Sequence, residues 1–353
     1  MLLVLVLFFI EQKPWDLLER KTVKVLLSFL FLTLFINTVH ALTAVPIYDF
    51  VFLKASIYYI YNIGLFLFCF QVFKWCKEID FKIIFIVLLI SLSFQYLLVL
   101  FDIDKGIVNN FQGREYNFFN NPNQLSYYSL LIITIFFLVK KKFKGLRYLF
   151  SLCMILATLL IFSATSIPSM LGIALFWILY LPTLQKRFYS RHLIIILLPV
   201  ILLFSFKSDY IIDEFNRVQT RFQKPEQRTV NSYSDRGYDR IMNSPKYILY
   251  GAGEGNYQRF VSNKIDSPQE IHSTFGNLLF SYGFLGLLLF ILFLYFLFEG
   301  GTWKLFLYFL PIFLYNFLHN GTRFSLLWIL LALVYALYSN ENQQINKHFD
   351  ITV

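Results

Sequence analysis

Two arginines in a polar segment of the second half of the chain are the first candidates for chemistry. Arg236 and Arg240 stand four residues apart. On a helix this spacing puts both guanidinium groups on one face, about one turn apart, where they repel each other unless an anion binds between them. Arginine suits phosphate oxygens because it binds them bidentately and stays charged. We interpret the pair as a phosphate fork; the alternative is a solvated face with Asp235 and Asp239 as local partners.

A histidine near the end of the same segment is the candidate for proton transfer. His272 stands where the polar segment returns to an apolar run. Imidazole titrates near neutral pH, so a histidine at a membrane–water boundary near two arginines suits general base catalysis. The alternative is a polar group that only starts a helix.

Three glycines follow His272 at helical spacing. Gly276, Gly283 and Gly286 are 4, 11 and 14 residues further along the chain. On a continuous helix they lie within about 40° of the direction of His272. We expect this seam of small residues to let another helix approach closely.

Six more polar residues, in two loops, are assigned to substrate binding. They are Arg114, Asn121 and Asn123 in the first loop, and Glu254, Arg259 and Glu270 in the second. Asn121-Pro122-Asn123 also predicts a turn that starts a helix. The Gly-x-Gly-x-Gly run at 251–255 is a weak phosphate-loop signal, because no Lys-Ser/Thr follows it. His319 and Arg323 form a second pair that we hold in reserve.

The amino-acid composition predicts the type of structure that positions these residues. The chain has 353 residues, of which 58% are hydrophobic and 15% are charged, against about 25% charged in an average soluble protein. Apolar stretches of about 20 residues, enough to cross a bilayer, recur along it. This excludes a soluble enzyme, a DNA-binding domain and a secreted disulfide scaffold, and it sets aside a nucleic-acid partner for the net charge of +10. No cysteine falls in the long polar loop, so neither a disulfide framework nor a cysteine metal site is indicated.

The fold class predicted is all-α, a polytopic transmembrane bundle of about 10–12 spans. The predicted spans are 23–43, 51–73, 82–101, 125–139, 146–164, 167–182, 192–206, 272–298, 304–318 and 323–338. We divide the chain into N-terminal transmembrane helices (1–206, including outer loop 102–124), a long extracytoplasmic loop (207–271), C-terminal transmembrane helices (272–338) and a cytoplasmic tail (339–353). The apolar run Met1 to Ile10 is interpreted as a truncated or late-started first helix.

The short loops predict the orientation. Lys and Arg gather in the short loops 11–22, 74–81, 140–147 and 183–191, and are absent from 44–50, 165–166 and 319–322. Basic short loops face the cytoplasm. The polar loops 102–124 and 207–271 are then outside, and the second holds ten Lys/Arg and nine Asp/Glu. A polar segment of this size outside an apolar bundle is where function is expected.

Short helices are predicted inside the long loop. Ser208 to Gln223 reads as one helix, which Pro225 ends. Ser234 to Ser244 reads as a second, with Ser234 or Asp235 as N-cap and Pro245 as its stop. Tyr250 to Asn256 reads as a glycine-broken turn.

Together these motifs resemble the superfamily of O-antigen polymerases and O-antigen ligases. The resemblance rests on an outer-loop Arg followed by Asn-Pro-Asn, and on Arg residues ahead of Pro and Gly-x-Gly in a long outer loop. It also rests on a His followed by small residues and Tyr-Gly-x-x-Gly. Ten residues separate Arg240 from Gly251 and His272 from Gly283, similar to the Arg-ten-Gly and His-ten-Gly signatures of the polymerases. The likeness covers about residues 110–290. Where many relatives have Ser-Arg at a turn, this chain has Ser163-Ala-Thr-Ser-Ile-Pro168, so no role for that Arg carries over.

The resemblance implies a polymerase of undecaprenyl-diphosphate-linked oligosaccharide repeat units in the bacterial plasma (inner) membrane. Its partners would be lipid-linked glycan donor and acceptor, the bilayer, a flippase and a chain-length regulator; no nucleotide sugar, metal or other cofactor is expected. Arg236, Arg240 and Arg114 would hold the diphosphate, and His272 would deprotonate or orient the acceptor hydroxyl.

Two rival functions remain open. An O-antigen ligase of the same superfamily would transfer the glycan to a lipid core acceptor. A polysaccharide flippase or exporter predicts charged residues lining a path within the spans, whereas here charge gathers in the outer loops, with Lys54 the main exception.

Overall fold

The computed structural model describes most of the apolar segments and part of the long polar loop. The described residues are 18–43, 49–101, 117–119, 121–139, 147–164, 166–185, 197–202, 236–255, 257–260 and 270–338, with five single positions between 205 and 219. Arg114 and the predicted helix Ser208 to Gln223 lie outside them, apart from those single positions.

In the described part of the chain, each regular element named below is a helix. The helices are α1 (Lys21–Thr43), α2 (Asp49–Trp75), α3 (Glu78–Phe101), α4 (Pro122–Val139), α5 (Arg147–Ser163), α6 (Ile167–Gln185), α7 (Asp239–Asn243), α8 (Tyr247–Tyr250), a 3₁₀ turn (Tyr257–Phe260), α9 (Thr274–Phe298), α10 (Trp303–Leu318) and α11 (Ser325–Tyr338).

The prediction of an all-α, polytopic membrane bundle is confirmed. Within the described part of the chain, α1 to α4 and α9 are long and apolar enough to cross a membrane, and α5, α6, α10 and α11 are shorter apolar helices. Large apolar side chains stay exposed along them, for example Phe31 at 72% and Ile90 at 63%. Such surfaces are unfavourable in water and suit a lipid environment. Of the predicted span 192–206, residues 197–202 are described and helical.

The chain divides into two compact units. The first comprises Met1–Trp75, Arg228–Thr302 and Asn316–Val353. In it, α1 packs on α2 and α9, and α11 packs on α2 and α9. Aromatic rings fill its core; Phe29 lies edge-on to Tyr59 and to Tyr282, with ring centroids 5.6 and 6.2 Å apart.

The second unit comprises Cys76–Gln227 and Trp303–Tyr315. There α5 packs on α3, α4 and α6. Helix α4 begins as predicted, because the Asn121 side-chain Oδ1 accepts the backbone N–H of Gln124 at 3.0 Å and so caps the helix. Tyr315 stacks on Tyr127, with ring centroids 4.0 Å apart.

The prediction of one helix from Ser234 to Ser244 is wrong in its first half. Helix α7 begins at Asp239, with Tyr238 in the N-cap position. Gly237 has a φ of 71°, a left-handed conformation that a helix does not continue through. Arg236 therefore stands in a turn, and the two arginines do not share one helix face. The predicted stop holds, since the helix ends at Asn243, two residues before Pro245.

The prediction of one glycine seam is also wrong. His272 precedes α9, and Gly283 interrupts that helix with φ 69° and ψ −177°. The directions of Gly283 and Gly286 relative to His272, which assume a continuous helix, therefore do not apply from this kink onward.

Candidate functional site

Gly251 and Gly283 meet where the polar loop crosses the kink in α9. The Ala252 N–H donates to the Phe280 carbonyl at 2.9 Å, and the Gly253 N–H donates to the Ser281 carbonyl at 2.8 Å. A Cβ on Gly251 would lie 2.6 Å from the Ser281 carbonyl oxygen, and one on Gly283 would overlap the Leu249 carbonyl. The two glycines thus allow a segment of the polar loop to approach α9 closely, whereas the sequence predicted the close approach of another helix.

This crossing gives the two ten-residue spacings a common origin. Arg240 stands a fixed length of chain before one glycine, and His272 stands an equal length before the other. The two segments are joined again near their starts, where the His272 N–H donates to the Arg236 carbonyl at 3.0 Å. The Tyr238 hydroxyl donates to the His272 carbonyl at 3.2 Å. The stretch of chain from Arg236 to Gly253 is therefore bound near both of its ends to the stretch from His272 to Gly283.

Replacing Gly283 with alanine is expected to destabilise the protein strongly. Its φ of 69° with ψ −177° is a conformation that is essentially restricted to glycine, and the added Cβ collides with the backbone at Leu249. We expect a loss of about 3 kcal/mol or more, measured as a fall in the thermal unfolding midpoint in detergent.

Gly64 provides the matched control for this substitution. It lies within α2, and a Cβ there meets nothing within 4 Å, so Gly64→Ala should keep or slightly raise stability. Equal midpoints for the two alanine variants would contradict the crossing.

His272 is half-buried, and its ring is held by a backbone carbonyl. Its Nδ1 lies 3.0 Å from the carbonyl oxygen of Glu270. A carbonyl oxygen can only accept, so Nδ1 carries the proton and Nε2 of the neutral ring carries the lone pair. Burial lowers the pKa of His272 below its ordinary value of 6.5, the Glu270 carbonyl opposes this, and Arg236 and Arg240 lower it further. The ring is therefore neutral at pH 7 and able to accept a proton.

Arg240 is a buried cation with an unused hydrogen-bond donor. Only 5% of the residue is exposed, and its guanidinium carbon lies 5.1 Å from the centre of the Tyr257 ring. Among the residues that the structure describes, its Nη1 has no hydrogen-bond partner. Burial lowers the pKa of Arg240, while Asp239 and Tyr257 act in the opposite direction. Leaving such a donor unpaired costs about 1–3 kcal/mol, more when it is charged, so the geometry favours an anionic ligand here.

Glu254 is fully buried at the centre of a hydrogen-bonded network. Its Oε2 accepts the hydroxyl groups of Tyr59 and Tyr282, each at 3.0 Å. Its backbone N–H donates to Asn37 Oδ1 at 2.9 Å. Its Oε1 accepts from Arg323, with Nε at 2.8 Å and Nη2 at 2.6 Å. These contacts favour a positioning role for Glu254, and its predicted contact with substrate stays a prediction.

The reserve pair His319 and Arg323 lies inside this site. Arg323 Nη1 contacts Glu270 Oε2 at 2.7 Å, and the ring centroid of His319 is 6.3 Å from that of His272. Burial raises the pKa of Glu270, Arg323 opposes this effect, and Glu254 adds to it. Sequence spacing alone did not indicate that Arg323 joins the two carboxylates.

Arg259 lies beside a histidine that the sequence did not single out. The guanidinium group of Arg259 lies over Phe52 and Phe260, at 5.2 and 4.6 Å from the ring centres, and donates to the Ala252 carbonyl. The His40 Nε2 donates to the Gly251 carbonyl at 3.0 Å, which leaves Nδ1 facing Arg259 Nη1 at 3.4 Å. Separated from Gly251 by 211 residues, His40 offered no sequence signal for this contact.

The structure brings some predicted site residues together and not others. Within the first unit, direct contacts join Arg236 and Glu270 to His272 and, through Arg323, Glu254 to Glu270. Arg240 lies over Tyr257 and its charge lowers the pKa of His272, and Arg259 donates to the Ala252 carbonyl. Asn121 and Asn123 belong to the second unit, where Asn121 caps α4 and the Asn123 carbonyl accepts the Tyr315 hydroxyl at 2.9 Å. Arg114 lies outside the described residues. In the described part of the chain, no three His, Cys, Asp or Glu residues cluster as a metal site would require.

Comparison of the chain with protein-family models, curated proteins and solved structures found no match. Any functional assignment therefore depends on the motifs and on the geometry of these side chains.

Proposed function

We propose that this multi-pass membrane protein polymerises undecaprenyl-diphosphate-linked oligosaccharide repeat units by glycosyl transfer without a metal ion. The observation that carries the proposal is the occurrence of His272 and Arg240 in one region, where the charge of Arg240 lowers the pKa of His272. The first offers a lone pair on Nε2, and the second is a buried cation whose Nη1 lacks a partner among the described residues. A proton acceptor beside an anion site is what transfer from a diphosphate to a hydroxyl requires.

The proposed reaction balances with these groups. Nε2 of His272 takes the proton of the acceptor hydroxyl while that oxygen forms a bond to the anomeric carbon of the donor. The bond from this carbon to the diphosphate oxygen breaks, and its electron pair leaves with the diphosphate. Arg240, with Arg236 nearby, offsets the negative charge that develops there. The proton on His272 is then released to solvent.

The placement of charge in the first unit supports a site on the outer face of the plasma membrane. Arg20, before α1, lies over Phe70 and Tyr335 near the ends of α2 and α11, with its guanidinium carbon 5.2 and 5.9 Å from the ring centres. The candidate site lies at the other ends of the same helices. Since basic short segments mark the cytoplasmic side, the site end would face outward.

Cysteine labelling in intact cells tests this orientation. Tyr250 is 74% exposed beside the site, so Tyr250→Cys should react with a membrane-impermeant maleimide. Native Cys76, partly exposed directly after α2, should react only after the cells are lysed. Each probe is placed in a background that lacks the other cysteines, and an outer membrane, if present, is permeabilised first. The reverse labelling pattern would overturn the outward assignment.

The proposed activity is tested with purified protein in liposomes that contain a lipid-linked repeat unit. Ladders of longer lipid-linked products should form without nucleotide sugar and in the presence of a chelator. A ligase would instead transfer the glycan when a lipid core acceptor is supplied and would leave single units unjoined. A flippase or exporter would form no new glycosidic bond. Lys54, the charge within a span that this alternative would require, is exposed, and its Nζ lies 6.0 Å from the centre of the Tyr58 ring.

A further inference from the structure

Arg323 occupies a position between two carboxylates. Its Nε donates a hydrogen bond to Glu254 Oε1, and its Nη2 and Nη1 make ion pairs with Glu254 Oε1 and with Glu270 Oε2, the latter at 2.7 Å. A planar guanidinium group can span two carboxylates in this way, whereas an ammonium group is a single point charge. The two carboxylates, with Tyr257, raise the pKa of Arg323 well above its usual range, although burial opposes them.

The charge around Arg323 makes it a poor ligand for phosphate. One guanidinium between two carboxylates leaves a local charge of about −1 when both are ionised, which repels an anion. Arg240 differs, because among the described residues Asp239 is the carboxylate that acts on its charge and its Nη1 is unpartnered there. Arg323 and Arg240 are thus suited to different tasks.

One side of the bridge is anchored firmly. Glu254 is fully buried and held by Tyr59, Tyr282 and, through its backbone, Asn37. These residues belong to α2, α9 and α1. A carboxylate fixed by three helices fixes the guanidinium group that binds it.

The other side of the bridge leads to the histidine. Arg323 holds the side chain of Glu270, and the carbonyl of the same residue accepts the Nδ1 proton of His272 at 3.0 Å. Glu270 precedes the N-cap of α9 by three positions, so it lies outside the hydrogen-bonded helix. Its contact with Arg323 therefore helps to fix its position.

We propose that Arg323 is a positioning residue that fixes the Nδ1–H tautomer of His272 by holding Glu270 against the buried Glu254. The hydrogen bond on one ring nitrogen decides which nitrogen carries the proton, and so which one accepts it. The tautomer role is independent of the reaction; its importance for catalysis rests on the proposed function, in which Nε2 is the base.

Nitrogen NMR of the purified, ¹⁵N-histidine-labelled protein tests the tautomer directly. His272 is assigned from the signal lost in His272→Gln, at a pH well above 6.5, the ordinary imidazole value. The native protein should show His272 as the Nδ1–H form. Arg323→Lys keeps one charge but cannot reach both carboxylates, so His272 should shift towards the Nε2–H form that a histidine side chain in water prefers. Arg20→Lys, a matched change at the opposite end of the first unit, should leave the signal unchanged.

A second variant covers the case in which Arg323→Lys fails to fold. Glu270→Ala removes the tie to Arg323 while keeping the carbonyl at that position, and it leaves the Arg323–Glu254 pair intact. It should produce the same change of tautomer. A His272 signal that stays in the Nδ1–H form in whichever of these variants folds would overturn the proposal.

Activity measurements separate this proposal from the proposed function. If both hold, folded Arg323→Lys should lose at least about tenfold in polymerisation rate, since a wrong tautomer removes the base from its place. Adding Arg323→Lys to His272→Gln should then cost nothing more. A changed tautomer in a chain that makes no polymer even as wild type would support the positioning role and count against the polymerase.

Discussion

Replacing His272 with alanine is expected to abolish visible polymer and to leave single lipid-linked units to accumulate. General base catalysis contributes about 10²–10⁴-fold to a rate, and the Nε2 lone pair is the group removed. Glutamine retains hydrogen-bonding capacity but cannot take a proton at neutral pH, so His272→Gln should be almost as inactive. The measurement is the ladder of lipid-linked products in liposomes at equal protein content.

The pH dependence of the proposed activity provides a second readout for the native protein. Burial and then the two arginines lower the pKa of His272 below 6.5, against the pull of the Glu270 carbonyl. In the proposed reaction the neutral form is the base, so the rate should be constant above this pKa and fall as pH decreases through it. The midpoint of the acidic limb is thus expected below pH 6.5.

A matched control separates loss of the base from a general effect of histidine removal. His348 lies in the C-terminal tail, and His348→Gln should make polymer as the native protein does. A folded His272→Gln that still makes long polymer would falsify the base assignment, and His319, whose ring is 6.3 Å away, would be the next candidate.

The membrane bundle was predictable because span formation depends on local composition. Apolar runs such as 23–43 and 272–298 need only length and hydropathy to form helices in lipid. The structure places α1 at Lys21–Thr43 and α9 at Thr274–Phe298, within two residues of these bounds. No long-range information was required.

The site was less predictable because single backbone torsions redirect it. Counting residues on a helix put Arg236 and Arg240 on one face, but the φ of 71° at Gly237 turns the chain before α7 begins. The kink at Gly283 has the same effect on the glycine seam. A glycine in a sequence shows that such a conformation is allowed, not that it is used.

The contacts of Arg323 show a second limit of prediction from sequence, which is packing between distant parts of the chain. Its partners Glu254 and Glu270 lie 69 and 53 residues away in sequence, and no periodicity connects them. Its type and position were the only signals in the sequence, since it is a cation four positions after His319 at the outer end of the predicted span 323–338. Whether it faced water, lipid or a buried carboxylate depended on how α2, α9 and α11 pack.

Replacing Arg240 with lysine should remove most of the activity although the positive charge is kept. Arg240 is 5% exposed, stacks on Tyr257 and has an unpartnered Nη1 among the described residues. Lysine offers one nitrogen where the guanidinium offers a planar pair, so a bidentate contact with a diphosphate is lost. Removing one donor of this kind typically costs about 10²–10³-fold in rate.

The comparison with Arg236 sharpens this test. Its carbonyl, which lysine keeps, makes the bond to the His272 N–H, so Arg236→Lys leaves the backbone clamp in place and changes only the side chain. We expect both lysine variants to lose rate if the pair grips a diphosphate, with the buried Arg240 the more sensitive of the two. Arg20→Lys, remote from the site, should keep native ladders. Native ladders from Arg240→Lys and Arg236→Lys alike, at equal membrane abundance, would show that neither guanidinium group binds a diphosphate, and would leave the unpartnered Nη1 of Arg240 without a ligand.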